Sequence, residues 1–217
     1  MCERREKMEN YFFDFDGTLA DTRQVVVAAV QDSFTQFGLT QPDSVIILGY
    51  IGVPPETSFP QMGADLPPEK LATLCQFFRQ AYSQHASEIE LFAGISEVLG
   101  ELQAQGKRLF IITSKTNTAL RESAELLGIL DYFEDVIGCD DVENYKPDPD
   151  GIELLVKRYD LEKADSVMIG DAIYDIQMGQ AAGVATCGVK WGSQKWAQVQ
   201  ALNPTYQLTD PAEILKL

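Results

Sequence analysis

The sequence is short of positive charge: 17 lysines and arginines stand against 33 aspartates and glutamates, a formal net charge of −16 over 217 residues. Such a chain is repelled at long range by nucleic acid and by anionic membranes, so neither is expected as a partner. Histidine is almost missing, and the single His85 excludes a His-Glu-x-x-His zinc motif. It is expected to be a satisfied surface or packing residue, with substrate contact as the alternative. The four cysteines, Cys2, Cys75, Cys139 and Cys187, are scattered with no Cys-x-x-Cys pair. That spacing speaks for reduced thiols and against a disulfide framework or a zinc site. No apolar run is long enough to span a bilayer, and Met1 to Asn10 is charged and lacks the apolar centre of a signal peptide. The expected location is cytoplasmic. There is no Gly-x-Ser-x-Gly elbow, and Gly100 and Gly106-Lys107 have the wrong spacing for a phosphate-binding loop.

What the chain does have is an organising stretch at Tyr11-Phe12-Phe13-Asp14-Phe15-Asp16-Gly17-Thr18. An aromatic run suited to a buried strand changes abruptly to carboxylates, so the strand is expected to end at Asp14. Residues two apart in extended backbone point the same way, which aims Asp14 and Asp16 at one pocket while Phe15 turns into the core. Gly17 permits the turn that follows. Two carboxylates about 4 Å apart repel by roughly 4 kcal/mol at an effective dielectric near 20, so the arrangement calls for a proton, a metal or a cation. A calcium-binding EF-hand loop does not fit, because the twelfth loop position falls on Val25 instead of a glutamate.

Along the chain, Arg23 to Phe37 reads as a helix with Val26, Val30, Phe34 and Phe37 on one face, stopped at Gly38. Leu39 to Gly63 carries four prolines and no sustained period, and is expected to form short helices and loops. Pro67 and Pro68 suit the first turn of a further helix bearing Leu71, Leu74, Cys75, Phe78 and Tyr82. Residues 22–90 thus read as an all-helical insertion without strands. From Gly94 onward helices and strands alternate. Strands are expected at Leu109–Ile112, Asp135–Gly138, Ser166–Ile169 and Ala185–Val189, with an edge segment at Tyr206–Leu208 and a last helix at Pro211–Leu215. That order indicates βαβ units and a parallel sheet covered on both faces. The domains expected are an α/β core over 1–21 and 91–217 and a helical unit over 22–90.

Ligands bind beyond the carboxyl ends of strands in such sheets. Asp14, Thr113 and Asp171 each follow an expected strand and are gathered at one edge. Lys146, in the proline-flanked Lys146-Pro147-Asp148-Pro149, is either a solvated loop lysine or a counter-ion to these carboxylates. Asp171 and Asp175 lie one helical turn apart, and Asp171 also suits a helix N-cap. If Asp14, Asp16, Asp171 and Asp175 converge on Lys146, about three negative charges remain, which calls for a divalent cation, best Mg²⁺.

The order Asp-x-Asp-Gly-Thr, threonine after an apolar strand, Lys-Pro and Gly-Asp-x-x-x-Asp resembles the phosphatases of the haloacid dehalogenase superfamily over essentially the whole chain. The resemblance implies a Rossmann-like parallel core with an inserted α-helical cap and an Mg²⁺-dependent phosphohydrolase of a small phosphorylated metabolite. Within the superfamily, Gly17 to Thr22 and Thr113 to Thr116 look most like phosphoglycolate phosphatases and related pyrophosphatases, with Ser114 where those enzymes often carry asparagine. By this similarity Asp14 is the nucleophile that becomes an aspartyl phosphate, and Asp16 protonates the leaving oxygen and then activates water. Thr113 and Lys146 stabilise the phosphoryl group, Gly17, Thr18, Ser114 and Lys115 bind substrate, and Asp14, the Asp16 carbonyl and Asp171 hold Mg²⁺, with Asp175 supporting the metal directly or from behind these ligands. The expected partner is the small phosphorylated substrate, bound by a monomer or homodimer. A phosphosugar mutase is disfavoured because the segment after Asp21-Thr22 lacks the histidine associated with that branch. A phospho-aspartate receiver has no reason to carry Asp16 or a cap. Val45 to Phe59, with Gly49, Gly52 and Thr57, is a source of substrate contacts or a loop with glycines for backbone reasons.

Overall fold

In the computed structural model, which describes residues 7–217, the aromatic run forms β1 (Asn10–Phe13), buried along its whole length. Cys2 lies outside the described residues. Tyr11 and Phe13 enter one apolar cluster with Leu99 and Ile111, while Phe12 enters another with Phe110 and Met168. An unbroken apolar strand is what a sheet covered on both faces requires. Two short strands, β2 (Ala20–Asp21) and β3 (Glu90–Leu91), flank four helices, α1 (Arg23–Gln36), α2 (Ser44–Leu48), α3 (Pro55–Gln61) and α4 (Pro68–Gln84). Then follow α5 (Ile95–Ala104), β4 (Arg108–Ile112), α6 (Asn117–Leu126), β5 (Asp135–Ile137), α7 (Asp150–Tyr159), β6 (Ser166–Gly170), α8 (Ile173–Ala182), β7 (Ala185–Val189), α9 (Trp196–Ala201) and β8 (Tyr206–Leu208). A 3-10 turn at Pro211–Lys216 ends the fold where a helix was expected.

The main sheet has the order β5-β4-β1-β6-β7-β8, with every neighbouring pair parallel. Phe13 is in register with Ile111 of β4 and Ile169 of β6, so three strand ends stand side by side at the centre of one edge. The connections leave β1 to opposite sides, which opens the crevice where open α/β sheets bind ligands.

The helices α1 to α4 have their own apolar cluster of Val30, Phe34, Ile47, Phe59, Leu74 and Cys75. Its aromatic rings meet edge to face, Phe34 to Phe59 at 5.6 Å and Phe59 to Phe78 at 5.3 Å. The face expected on α1 packs there, but Val25 and Ala29 on its other side are buried in the sheet's cluster. A helix buried on two sides shows little contrast between faces, so the second contact is invisible as a period.

The stretch 22–90 is also not wholly helical. Glu90 and Leu91 pair antiparallel with Asp21 and Ala20, closing a two-rung ribbon at the stem of the helical segment. Two residues are too few to show alternation, and the pairing exists because the chain leaves and re-enters the sheet edge at adjacent points. Among the described residues no helix is long and apolar enough to cross a membrane.

Candidate active site

The Asp14 amide donates to the Ile169 carbonyl at 2.9 Å, carrying the β1–β6 ladder one residue past the strand and fixing the carboxylate at the sheet edge. Gly17 then turns with φ of 85°, and a Cβ there would lie 2.5 Å from Asp171 Oδ2. Only glycine allows both the left-handed turn and that approach. Thr18, fully buried, donates its hydroxyl to Asp171 Oδ1 at 3.2 Å. On β6, Gly170 does the same service for Asp175, whose Cγ would be 2.2 Å from an added Cβ. The N-cap expected at Asp171 falls instead on Ala172, and Asp175 in the first turn of α8 accepts the Ala172 amide at 3.0 Å. Asp171 is thereby left to face Asp14 and Asp175.

Lys146 is the counter-ion, not a solvated loop residue. Its Nζ donates to Asp14 Oδ1 and to Asp175 Oδ1, both at 2.7 Å, with the side chain 4% exposed. Burial pushes the Asp14 carboxyl up to about 7; Lys146 opposes that shift, while Asp175 and Asp16 add to it. Burial also raises Asp171 well above the usual carboxylate range, with Asp14 and Asp175 adding to it and Thr18 opposing. For Lys146 burial works downward, but Asp14 and Asp175 outweigh it and hold the ammonium charged.

Asp16 stands apart from this cluster, where convergence of four carboxylates was expected. Its Oδ1 lies 3.0 Å from Lys115 Nζ yet accepts no hydrogen bond of good geometry. The residues around Lys146 are therefore three carboxylates, leaving an excess near two instead of three. Thr113 is buried, donates its amide to the Ile137 carbonyl at 3.0 Å, and accepts the Lys115 amide on its hydroxyl at 3.3 Å. Ser114 and Lys115 line the cavity between the sheet edge and the helical segment, together with Asp16.

Tyr82 is the site residue that sequence reading missed. Its helical spacing in α4 marks it as a packing residue, and it is buried, but Lys115 Nζ sits 3.8 Å from its ring centroid. Burial, with the Asp16 charge beside it, holds the Tyr82 hydroxyl protonated far above its ordinary range. No local signal distinguishes it from Phe78 one turn earlier. His85 is at the surface, its ring nitrogens 2.8 Å from Glu88 and 3.5 Å from Asp32.

One oxygen from each of Asp14, Asp171 and Asp175 lies within 4.8 Å of the others, and all three residues are buried. That spread is close to twice the Mg–O distance of about 2.1 Å, and an all-oxygen set with two excess negative charges suits a hard divalent ion. The residues present therefore fit Mg²⁺.

The sequence model of the family described as "Haloacid dehalogenase-like hydrolase" matches residues 11–189. The chain is 29% identical over 205 residues to pyrophosphatase PpaX of Bacillus velezensis, a match covering 94% of each. A haloacid dehalogenase-like family hydrolase from Streptococcus pneumoniae superposes with a TM-score of 0.85 at 27% identity, over 96% of this chain and 97% of that one. A structure described as a predicted phosphoglycolate phosphatase from Haemophilus somnus superposes with a TM-score of 0.87 at 23% identity, over 96% and 97%, and shows the shared fold. A phosphatase-type strand edge and a family match over most of the length lead to one assignment: this chain belongs to the haloacid dehalogenase-like hydrolases.

Proposed function

We propose that this hydrolase is an Mg²⁺-dependent phosphatase of a small phosphorylated metabolite, working through an aspartyl phosphate on Asp14. The observation that carries the reading is the buried contact of Lys146 with Asp14 and Asp175 beside Asp171, at the ends of β1 and β6. Lys146 holds one Asp14 oxygen, which leaves the other to attack phosphorus. Asp16, two residues on, protonates the leaving oxygen and then takes a proton from the water that hydrolyses the acyl phosphate. Lys115 steadies the Asp16 carboxylate between those steps. Thr113 and Ser114 donate to phosphoryl oxygens, and the turn at Gly17 and Thr18 seats the group. Asp14, Asp171, Asp175 and the Asp16 carbonyl would hold Mg²⁺, which supplies charge stabilisation for a transfer that depends more on positioning than on covalent chemistry. Residues 22–90 act as a cap over a core of 1–21 and 91–217. By the resemblance, a phosphoglycolate-like ester is one candidate within that class.

A second reading, hydrolysis of pyrophosphate, rests on the name of relatives that match nearly the full length of the chain. Release of inorganic phosphate from a panel of monoesters and pyrophosphate with Mg²⁺ tests both. The substitution Asp14→Asn is expected to abolish turnover with the circular dichroism spectrum unchanged. Retained turnover in that variant would remove Asp14 as the nucleophile.

A further inference from the structure

Between the sheet edge and the helical segment lies a cavity of about 140 Å³ that begins at Asp16 and Lys115 and runs up among α1, α4 and the loop before α3. Most of its wall is apolar, with Val30, Ile47, Ile51, Val53, Phe59 and Phe78 facing it, while Tyr50, Ser58, Ser114 and Thr116 add neutral polar groups. An apolar cavity of about 150 Å³ takes a guest the size of benzene. Four charged residues line it, and each has a partner. Asp16 faces Lys115 at 3.0 Å, and Glu56 is paired with Arg79. Among the described residues lining the cavity, no unpaired cation remains for a second anionic group.

Resting on the phosphatase reading above, we infer that the preferred substrate is a phosphomonoester whose leaving group is uncharged and apolar over roughly five or six carbon or ring atoms. Phosphoglycolate would bring a carboxylate, and pyrophosphate a second phosphoryl group, against a largely valine, isoleucine and phenylalanine wall whose two lining cations, Lys115 and Arg79, are already paired. Burying an uncompensated charge there is far more costly than the contacts it makes. An alkyl or single-ring body instead gains from leaving water, while its ester oxygen stays at Asp16 for protonation.

The test is a series of n-alkyl phosphates from ethyl to hexyl, with phosphoglycolate and pyrophosphate alongside, using the full chain and Mg²⁺. Each added methylene is expected to raise kcat/KM about fourfold, equivalent to ~0.8 kcal/mol, until the cavity is filled. The pentyl ester should exceed both phosphoglycolate and pyrophosphate at least about tenfold. A flat alkyl series, or a preference for either anionic substrate, overturns the inference while leaving the phosphatase reading intact. Absence of turnover on every compound overturns both. To place the contact, Ile51→Lys should flatten the alkyl slope and improve phosphoglycolate relative to pentyl phosphate. Val53→Ser, a milder change in the same loop, should reduce the slope if the lysine variant fails to fold. An unchanged slope in a folded variant counts against this cavity as the binding place.

Discussion

Replacing Lys146 with methionine keeps a side chain that reaches as far as Cε and removes the ammonium beyond it, which isolates the ammonium's contribution. Each contact at 2.7 Å carries a gross attraction of about 6 kcal/mol at an effective dielectric near 20. Relief from burying the ammonium offsets much of this, so the net loss of folding stability is expected to be about 3–5 kcal/mol. The loss should depend on pH. Asp14 titrates near 7 in the fold against an ordinary carboxyl value near 3.8, and its folded value climbs further without Lys146. A raised folded pKa means that the fold prefers the neutral acid. Stability is then complete below the ordinary value and is lost as pH rises through the folded one. In urea unfolding with a chelator present, the variant should lie about 3–5 kcal/mol below the wild type at pH 8 and roughly 1.4 kcal/mol less far below it at pH 5, the most that one carboxyl titrating at about 7 contributes over that interval. Mg²⁺ at pH 8 should restore part of the difference by replacing the missing positive charge. Equal losses at both pH values, unaffected by Mg²⁺, would falsify the charge account and leave Lys146 a packing residue.

The same cluster is expected to make the wild type responsive to Mg²⁺. Mg²⁺ at a hundred times its Kd is expected to add about 2.7 kcal/mol, raising Tm by roughly 5–10 °C at pH 8. The gain should shrink at pH 5, where protons compete for Asp14 and Asp171; calorimetry with and without a chelator checks it. Gly170→Ala puts a methyl group where Asp175 already stands, so a loss of about 1–3 kcal/mol in urea unfolding and a fall in kcat are expected. Tyr82→Phe retains the ring beneath Lys115, whereas Tyr82→Leu removes an attraction of about 0.5–2 kcal/mol. Phosphatase kinetics should therefore show the leucine variant more impaired than the phenylalanine one. Equal impairment would shift the tyrosine's role to its hydroxyl beside Asp16.

The sheet was largely legible in the chain because strands such as Tyr11–Phe13 and Val167–Ile169 are continuous apolar runs bounded by carboxylates and glycines. Burial on both faces writes that pattern directly into residue type. Asp14, Thr113 and Asp171 could be placed at one edge for the same reason, since parallel strands bring their carboxyl ends together wherever the connections run. What sequence spacing could not reveal was the partition of the charges. Asp14 and Asp16 read as neighbours in one acidic pocket, but the chain turns at Gly17 and Asp16 meets Lys115 and the ring of Tyr82. Tyr82 lies 66 residues from Asp16 on α4, yet it packs in the sheet's apolar cluster with Phe15. Likewise the ribbon of Ala20–Asp21 with Glu90–Leu91 carries no periodic signal, because it is held by the approach of two chain segments and not by any preference of its residues.

By itself the sequence determined an acidic α/β protein, the edge of the sheet that gathers carboxylates, and the turn that Gly17 permits after them. Those properties follow from local periodicity and backbone sterics, which are written residue by residue. The tertiary structure alone decided which carboxylate each lysine neutralises and that the space above Asp16 is lined largely by apolar side chains. Both depend on distances between segments far apart in the chain, which only packing sets.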